Sequence, residues 1–278
     1  MSNPNIINLV NSQEGALSQD YKLSICLRSD GFLFSLIDKD FTLKTVGEFS
    51  VDLSKGMTQS MSNLRECFAS IGIRLFNFAE INIVYQEAKN TFIPYKLYDD
   101  KNTKEYLREI AYISSSETVL DHVSTKLDTV SVFSMPMQLY SAAKILMPKA
   151  NFYSQHQIMA EYCFEVSKLS NNTVLLYKRK GGCDLVVFKA TNLVFSNSFS
   201  YNNENDMIYQ LLFTFEQIGM DVEDMNFLIT GEEYSADEKT VLSRHIKDIM
   251  YANPMELIKV ENNFGGVNLQ NYFLTLIK

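Results

Sequence analysis

Three aspartates around the first predicted hairpin are the residues whose type and spacing come closest to metal chemistry. Asp30 precedes the turn glycine Gly31, whereas Asp38 and Asp40 follow the next strand. Carboxylates hold a pair of metal ions only when they converge on one point. Strand geometry places the first aspartate and the other two at opposite ends of one strand, so we expect no two-metal nuclease centre.

Three further features have both a chemical and a structural interpretation. His156 would line a cleft, although a lone histidine is more often a surface or core residue. Gly265 and Gly266 would let backbone approach phosphate, although a plain turn is the simpler interpretation. The basic run from Tyr177 to Lys180 would suit nucleic acid, but a solvated hairpin turn is simpler. The P-loop, H-E-x-x-H and G-x-S-x-G motifs are absent from the sequence.

Composition excludes several classes of function. The chain carries 33 acidic and 25 basic residues, for a net charge of −8, and an acidic protein repels phosphate backbones, so we expect no nucleic acid partner. We find neither a basic-then-apolar leader nor the roughly 20 apolar residues of a membrane span, so we expect no secretion and no membrane insertion. The cysteines form no C-x-x-C pair, which argues against structural zinc and favours four reduced thiols in the cytoplasm. They are Cys26, Cys67, Cys163 and Cys183.

An internal repeat organises the chain. The length of 278 residues allows two domains of ordinary size. Residues 23–50 and 173–200 align without a gap at a separation of 150 residues (181 − 31), so that Gly31 meets Gly181. In each copy three apolar runs are separated by a glycine turn and a polar break. This pattern predicts a three-stranded antiparallel meander in each half.

Downstream of each meander the pattern continues as a helix and a short strand. Apolar residues recur every three or four positions over 57–71 and 207–218, which is typical of one helix face. Both helices end in Ile-Gly, and glycine suits a left-handed C-terminal cap. Short apolar strands follow at 80–85 and 224–229. Each half therefore has the order β-β-β-α-β, and we infer a duplication.

The same patterns predict the domain organisation. Residues 1–19 form a polar N-terminal segment that is expected to be partly disordered. The first domain covers 20–155, with an insertion near 86–127 that has no counterpart in the second half. The second domain covers 156–278, and the Ser-x-x-Glu sequence at 235–238 predicts a capping box at the start of one of its helices.

The order of meander, helix, parallel strand and further α/β units resembles the ribonuclease H-like fold. Two such domains in tandem resemble the actin-like ATPase superfamily. More narrowly, the chain resembles an uncharacterised bacterial family with an actin-like ATPase fold. The segments that carry this resemblance are Leu23–Asp38, Thr91–Pro94 with Leu97 and Tyr98, Ser131–Pro136, and Leu185–Ser200. The fold class implied is α/β, with mixed sheets in two tandem ribonuclease H-like domains of β-β-β-α-β-α order.

The superfamily resemblance implies a site for ATP and magnesium in the cleft between the domains. Active members carry Asp-x-Gly in the first hairpin of each domain, where aspartates position the metal and glycines let backbone amides approach phosphate. The candidates here are Asp30 and Gly31 in the first hairpin, Gly181 and Gly182 in the second, and Gly231 in the adenosine loop.

All three loops depart from the superfamily pattern. Asp30 lies one residue before Gly31 rather than two, and Ser29 takes the place expected of the aspartate. Arg179 takes that place in the second hairpin, and Glu232 replaces a glycine of the adenosine loop. A carboxylate there would repel phosphate. The resemblance therefore favours loss of hydrolysis and leaves nucleotide binding open.

Three functions follow from these observations. The first is a non-catalytic binding or scaffolding protein with degenerate nucleotide-binding loops and a protein partner, by analogy with the pilus-assembly scaffolds of the superfamily. The alternative is an ATPase or small-molecule kinase with displaced acids, for which Asp30 and Asp184 are the first candidates. The third is a sensor that binds a small ligand in the cleft without turnover. Ligand binding discriminates between them.

Overall fold

The structure of the protein is a computed structural model. It describes residues 5–11, 20–28, 30–54, 56–75, 78–170, 172–256, 258–260 and 264–276. The strands are β1 Asn5–Asn11, β2 Lys22–Arg28, β3 Gly31–Ile37, β4 Thr42–Ser50, β5 Glu80–Tyr85, β6 Asn90–Pro94, β7 Glu117–Ser124, β8 Thr129–Pro136, β9 Asn151–Ser154, β10 Asn172–Arg179, β11 Gly182–Lys189, β12 Asn192–Ser200, β13 Asn226–Gly231, β14 Ile249–Tyr251 and β15 Lys259–Val260. The α-helices are α1 Met57–Ser70, α2 Thr103–Arg108, α3 Met137–Leu146, α4 Gln155–Ser167, α5 Glu204–Gln217, α6 Ala236–His245 and α7 Phe273–Leu276.

The first domain is built on a mixed sheet whose strands lie in the order β1-β4-β3-β2-β5-β9. Strands β2, β3 and β4 form the antiparallel meander that the alternating runs predict, and β2 pairs in parallel with β5. Helices α1 and α3 cover one face of this sheet, over a buried cluster that includes four phenylalanine rings. These are Phe32, Phe34, Phe49 and Phe68. The rings anchor strands β3 and β4 and helix α1 in the core.

The polar N-terminal segment 1–19 contributes a strand over residues 5–11, which the sequence did not predict. Strand β1 pairs antiparallel with β4, from Asn5 opposite Ser50 to Asn11 opposite Thr45. Its sequence, N-I-I-N-L-V-N, is uncharged and rich in aliphatic residues, which suit a half-buried sheet surface. The remainder of that segment lies outside the described residues.

The insertion predicted near 86–127 and the strand that follows it form a small third sheet. Its strands lie in the order β6-β8-β7 and all pair antiparallel. Helix α2 packs on this sheet through Leu107, which is buried against Val130 and Val132 of β8. The small sheet therefore has a core of its own.

The second domain repeats the plan of the first. Its strands lie in the order β12-β11-β10-β13-β14, with an antiparallel meander and a parallel pairing of β10 with β13. Helices α5 and α6 cover one face. The predicted capping box is confirmed at the start of α6, because Ser235 Oγ accepts from Glu238 N at 3.1 Å and the Glu238 carboxylate accepts from Ser235 N at 2.7 Å.

Helix α4 lies between the two sheets and forms a core that both domains share. Cys26 of β2, Tyr177 of β10 and Cys163 of α4 belong to one buried cluster. Because this apolar contact is continuous, separating the domains would expose it to water at a cost in free energy. All four cysteines are buried as thiols. No helix in the described part of the chain is long and apolar enough to cross a membrane.

The first two strands of the two meanders correspond at a separation of 151 residues, not the 150 of the gapless alignment. Cys26 and Tyr177 both face the shared core (177 − 26 = 151). A slip of one residue would turn one of them to the opposite face of its sheet. Gly31 therefore corresponds to Gly182, and the alignment with Gly181 was wrong by one position.

Both meanders carry a β-bulge at the same place. The strand register shifts at the end of β3 opposite β4 and at the end of β11 opposite β12, and the extra residues are Lys44 and Val194. The connection between the second and third strands is one residue longer in the first domain (38–42) than in the second (189–192), which restores the separation of 150 residues in the third strand, where Leu43 does correspond to Leu193. A shared irregularity of this kind supports duplication more strongly than a shared strand order, since bulges are retained as specific features.

Candidate interdomain site

The turns of the β2–β3 and β10–β11 hairpins face each other across the cleft between the domains. Lys180 Nζ lies 3.1 Å from Asp30 Oδ2, so the two turns form an ion pair. Beside it lies a cavity of about 230 Å³ whose lining includes three cationic and three carboxylate side chains. The lining residues are Arg28, Asp30, Gln86, Glu87, Arg179, Lys180 and Glu232.

Arg28 is the last residue of β2 and holds the first hairpin turn. Its Nη2 donates to Glu48 Oε1 at 2.7 Å, and its Nε lies 3.3 Å from Asp30 Oδ1. Burial by itself lowers the pKa of Arg28, but the hydrogen bond to Glu48 and the neighbouring carboxylates raise it overall. Both oxygens of Asp30 thus lie next to cations, Arg28 and Lys180.

Asp184 is the carboxylate of the second hairpin and is fully buried on β11. Its Oδ1 accepts from Arg179 Nε at 3.1 Å and from Ser198 Oγ at 2.6 Å. Its Oδ2 has no hydrogen-bond partner within the described residues. Asp184 is not among the residues that line the 230 Å³ cavity. The second acid required by the kinase or ATPase alternative is therefore enclosed behind Arg179.

His156, near the start of α4, extends the same buried network. Its Nε2 lies 3.0 Å from Ser198 Oγ and its Nδ1 lies 2.9 Å from Ser196 Oγ. Burial lowers the pKa of His156, Asp184 opposes this shift and Arg179 reinforces it. The ring borders a neighbouring cavity of about 220 Å³. With both nitrogens partnered, the geometry favours the interpretation as a satisfied core residue.

Three of the four candidate glycines are required because a neighbouring strand lies too close to them for any side chain. A Cβ atom on any of them would lie 2.0 to 2.3 Å from a carbonyl oxygen of the adjacent strand. These glycines are Gly31, Gly182 and Gly231. The fourth, Gly181, occupies the hairpin turn with a φ of +74° and open space around its Cα. Sheet packing and turn geometry thus account for all four without a ligand.

The backbone amides at the strand ends of the cleft are engaged within the sheets. Glu232 N donates to Lys178 O at 3.0 Å, and Gln86 N donates to Leu27 O at 3.1 Å at the equivalent position of the first domain. A phosphate cradle needs amides that point at the ligand. These two amides point into the sheet.

The remaining aspartates near the first hairpin do not approach the cavity. Asp38 and Asp40 lie beyond the end of β3 that is opposite Asp30, as strand geometry predicts. The Asp38 carboxylate accepts from Asp40 N and Thr42 N at 2.9 Å each and lies 3.5 Å from Lys44 Nζ. Across the described ranges, no group of three His, Cys, Asp or Glu side chains could hold a metal ion.

Sequence reasoning missed the contribution of β5 to the cavity. Gln86 follows β5 directly, is buried, and donates from Nε2 to Tyr177 OH across the domain boundary at 3.2 Å. The next residue, Glu87, also lines the cavity. One sequence signal could have indicated this contribution. Gln86 and Glu232 occupy equivalent positions, since each follows the short apolar strand of the repeat.

Two domains of the same strand and helix order, with opposed hairpins at a common cleft, define the class of proteins with an actin-like ATPase fold. The predicted α/β class, with two tandem ribonuclease H-like domains, is confirmed. Within this class the chain belongs to the family described as protein of unknown function (DUF3822), whose model matches residues 12–249. No curated protein matches the sequence significantly.

Two solved structures illustrate the likeness. A Bacteroides thetaiotaomicron protein with an actin-like ATPase fold and unknown function is 24% identical, with a TM-score of 0.76 over 92% of this chain and 96% of that chain. A chain of the PilM–PilN type IV pilus biogenesis complex is 10% identical, with a TM-score of 0.58 over 92% of this chain and 96% of that chain. At these identities the likeness shows the fold. It confirms the resemblance inferred from the hairpin and strand segments.

Proposed function

We propose that this protein is a non-catalytic binding or scaffolding protein of the bacterial cytoplasm, a pseudo-enzyme with an actin-like fold. The observation that carries the proposal is the ion pair between Asp30 and Lys180. It occupies the position between the hairpins where active members of the superfamily hold phosphate. A phosphate entering there would displace Asp30 from Lys180 and would then face Glu87 and Glu232.

The ion pair matters for its position more than for its strength. The Lys180 side chain is 81% exposed and that of Asp30 is 45% exposed, so the pair contributes under about 1 kcal/mol to folding. Its 3.1 Å length shows instead that the two turns already approach to within contact distance. The shared core around α4 supports this closed arrangement.

The charges that line the cavity support the same proposal. The three cations that line the cavity would attract a polyphosphate, but the three carboxylates that line it would repel it, so the cavity offers little net attraction. The carboxylates would have to bind a magnesium ion to become favourable. The pairing of Asp30 with two cations and the burial of Asp184 both oppose that role.

The scaffolding part of the proposal rests on analogy of fold. The PilM–PilN type IV pilus biogenesis complex contains a protein that resembles this chain over 92% of its length. A protein of this fold thus occurs in an assembly with another protein. By this analogy of fold we infer a protein partner here also.

The test is a thermal-shift titration of the full chain with ATP, ADP and AMP, each with and without Mg²⁺. A nucleotide at about 100 times its Kd would stabilise the fold by roughly 2.7 kcal/mol, which for a chain of this size raises Tm by about 5 °C. We expect no such rise with any nucleotide.

Two aspartate variants decide what a positive response would mean. Asp30→Asn changes the cleft, whereas Asp40→Asn changes an exposed aspartate in the turn beyond the other end of β3. A Mg²⁺-dependent rise in Tm with ATP that is lost in the first variant and kept in the second would refute the pseudo-enzyme proposal. It would support the ATPase or kinase alternative.

A further inference from the structure

The outer edge of the second sheet is open where the equivalent edge of the first sheet is covered. In the first domain β1 pairs with residues 45–50 of β4, and β15 pairs with residues 42–43. Strand β12 is the equivalent of β4, since both are third strands of a meander with the same bulge. Within the described residues, no strand pairs with the outer side of β12.

A cavity of about 370 Å³ follows this open edge. It is lined by the five consecutive residues 193–197. Side chains of a strand alternate between its two faces, so a cavity on one face contacts every second residue. Contact with five residues in a row shows that the cavity lies along the backbone edge, where alternate N–H and C=O groups point outward.

The opposite wall of the cavity is a second strand edge. It is formed by residues 90–92 of β6, which are again consecutive, together with Ile110. Strand β6 is an end strand of the small sheet, and no strand in the described part of the chain pairs with its outer side. We call this space, between residues 90–92 and 193–197, the edge groove. Its two walls present main-chain hydrogen-bonding groups to one another.

The two edges of the groove lack the charged side chains that keep many natural edge strands from pairing. Two other protective features are each confined to one end of a strand, the bulge at Val194 of β12 and Pro94 at the end of β6. Strand β12 is nine residues long, and neither it nor β6 contains a charged residue. By contrast, the other edge strand of the small sheet, β7, carries Glu117 and Asp121, and β14 has only three residues.

We propose that the edge groove binds an extended, uncharged segment of a partner protein by strand addition, antiparallel to β12 as β1 is to β4. Main-chain hydrogen bonds would supply affinity, and the groove side chains would select aliphatic and amide side chains. The absence of charge on both walls and the composition of β1, which fills the equivalent edge, define this chemistry. The inference rests on the proposed scaffolding function, to which it adds a class of partner.

The probe is a synthetic peptide with the β1 sequence, Asn-Ile-Ile-Asn-Leu-Val-Asn, followed by a Gly-Ser-Lys tail for solubility. Hydrogen exchange of the full chain is measured with and without the peptide, and the affinity is measured by calorimetry. We expect slowed amide exchange over 192–200 and 90–94. The same peptide with N-methyl groups at alternate residues keeps every side chain and loses backbone donors, so we expect it not to bind.

Two matched valine variants locate the site on the protein. Val194→Lys places a charge in the groove, and Val123→Lys places one at a similarly exposed position on β7, outside the groove; the two valines are 39% and 42% exposed. We expect the first variant to weaken peptide binding at least about tenfold, because a charge next to an uncharged strand is poorly solvated. We expect the second to bind like the unmodified chain.

Three results would overturn the inference. The first is equal binding of the N-methylated and unmodified peptides, or binding of neither. The second is slowed exchange over 42–50 instead of 192–200, which would mean that the probe only exchanges with β1. The third is concentration-dependent protection of 192–200 without peptide, which would assign the edge to a second copy of the chain. The nucleotide titration is independent of all three, so failure here leaves the closed-cleft proposal standing.

Discussion

Adjacent glycines at the second hairpin allow two physical effects to be separated by single substitutions. Gly182→Ala places a Cβ atom 2.3 Å from Phe199 O on β12, whereas real Cβ atoms do not come within 3.0 Å of other heavy atoms. Strand β12 must therefore move by at least about 0.7 Å (3.0 − 2.3). Gly181→Ala meets no atom within 4 Å, but it forces alanine to a φ of +74°.

These geometries give different costs in stability. A left-handed backbone costs a residue other than glycine roughly 1–2 kcal/mol, and the lower entropy of the unfolded chain returns about 0.4–1 kcal/mol of that. We expect Gly181→Ala to cost about 1 kcal/mol. Overpacking costs roughly 1–3 kcal/mol, and the displaced β12 weakens its pairing with β11, so we expect Gly182→Ala to cost about 3 kcal/mol.

The assay is urea denaturation followed by far-ultraviolet circular dichroism, with Gly72→Ala as a control. Gly72 also has a positive φ, +76°, and no atom within 4 Å, but it ends helix α1 far from the cleft. Gly181→Ala should match this control. A loss of stability in Gly181→Ala equal to that in Gly182→Ala would refute the argument that strand approach, and not turn conformation, requires the second glycine.

Two other predictions concern buried ionisable groups. Burial lowers the pKa of His156, opposed by Asp184 and reinforced by Arg179, so the unfolded chain binds that proton more readily and the free energy of unfolding falls as pH drops below 6.5. His156→Gln should reduce this decline in urea titrations at several pH values and leave the share of His122, whose pKa is also lowered by burial. An unchanged decline would contradict the assignment. Burial raises the pKa of every cysteine, so a disulfide reagent at pH 8 should label the native chain at least about a hundredfold more slowly than the urea-unfolded chain. The thiols are Cys26, Cys67, Cys163 and Cys183. Rapid labelling of any one of them in the native state would show that its burial is wrong.

Much of the fold could be predicted because its signals are local. Alternating apolar residues and a glycine turn specify a hairpin within about 15 residues, and the capping box at 235–238 needs only four positions. Repetition of these local signals about 150 residues apart predicted two domains of the same order. Strand β1 was missed because its aliphatic residues lie within a polar segment, and its partner β4 is distant in sequence.

The register of the repeat shows where sequence comparison fails. A gapless alignment matched Gly31 with Gly181, since an alignment without gaps has no means to represent the one-residue difference in length between the β3–β4 and β11–β12 connections. The strand pairing matches Gly31 with Gly182, because the side chains must face the same core in both domains. The sequence therefore determined that a repeat exists, and the packing of each sheet decided its register to the residue.

Some features of the candidate site were likewise determined by the sequence, and others only by the tertiary structure. The sequence by itself determined the departure of both hairpins from the Asp-x-Gly pattern, and with it the expectation of lost catalysis. The tertiary structure alone decided that Asp30 meets Lys180, that Asp184 is enclosed behind Arg179, and that β12 has an open edge beside β6. These contacts join residues up to 150 positions apart. They depend on how the shared core around α4 sets one domain against the other, which no local pattern encodes.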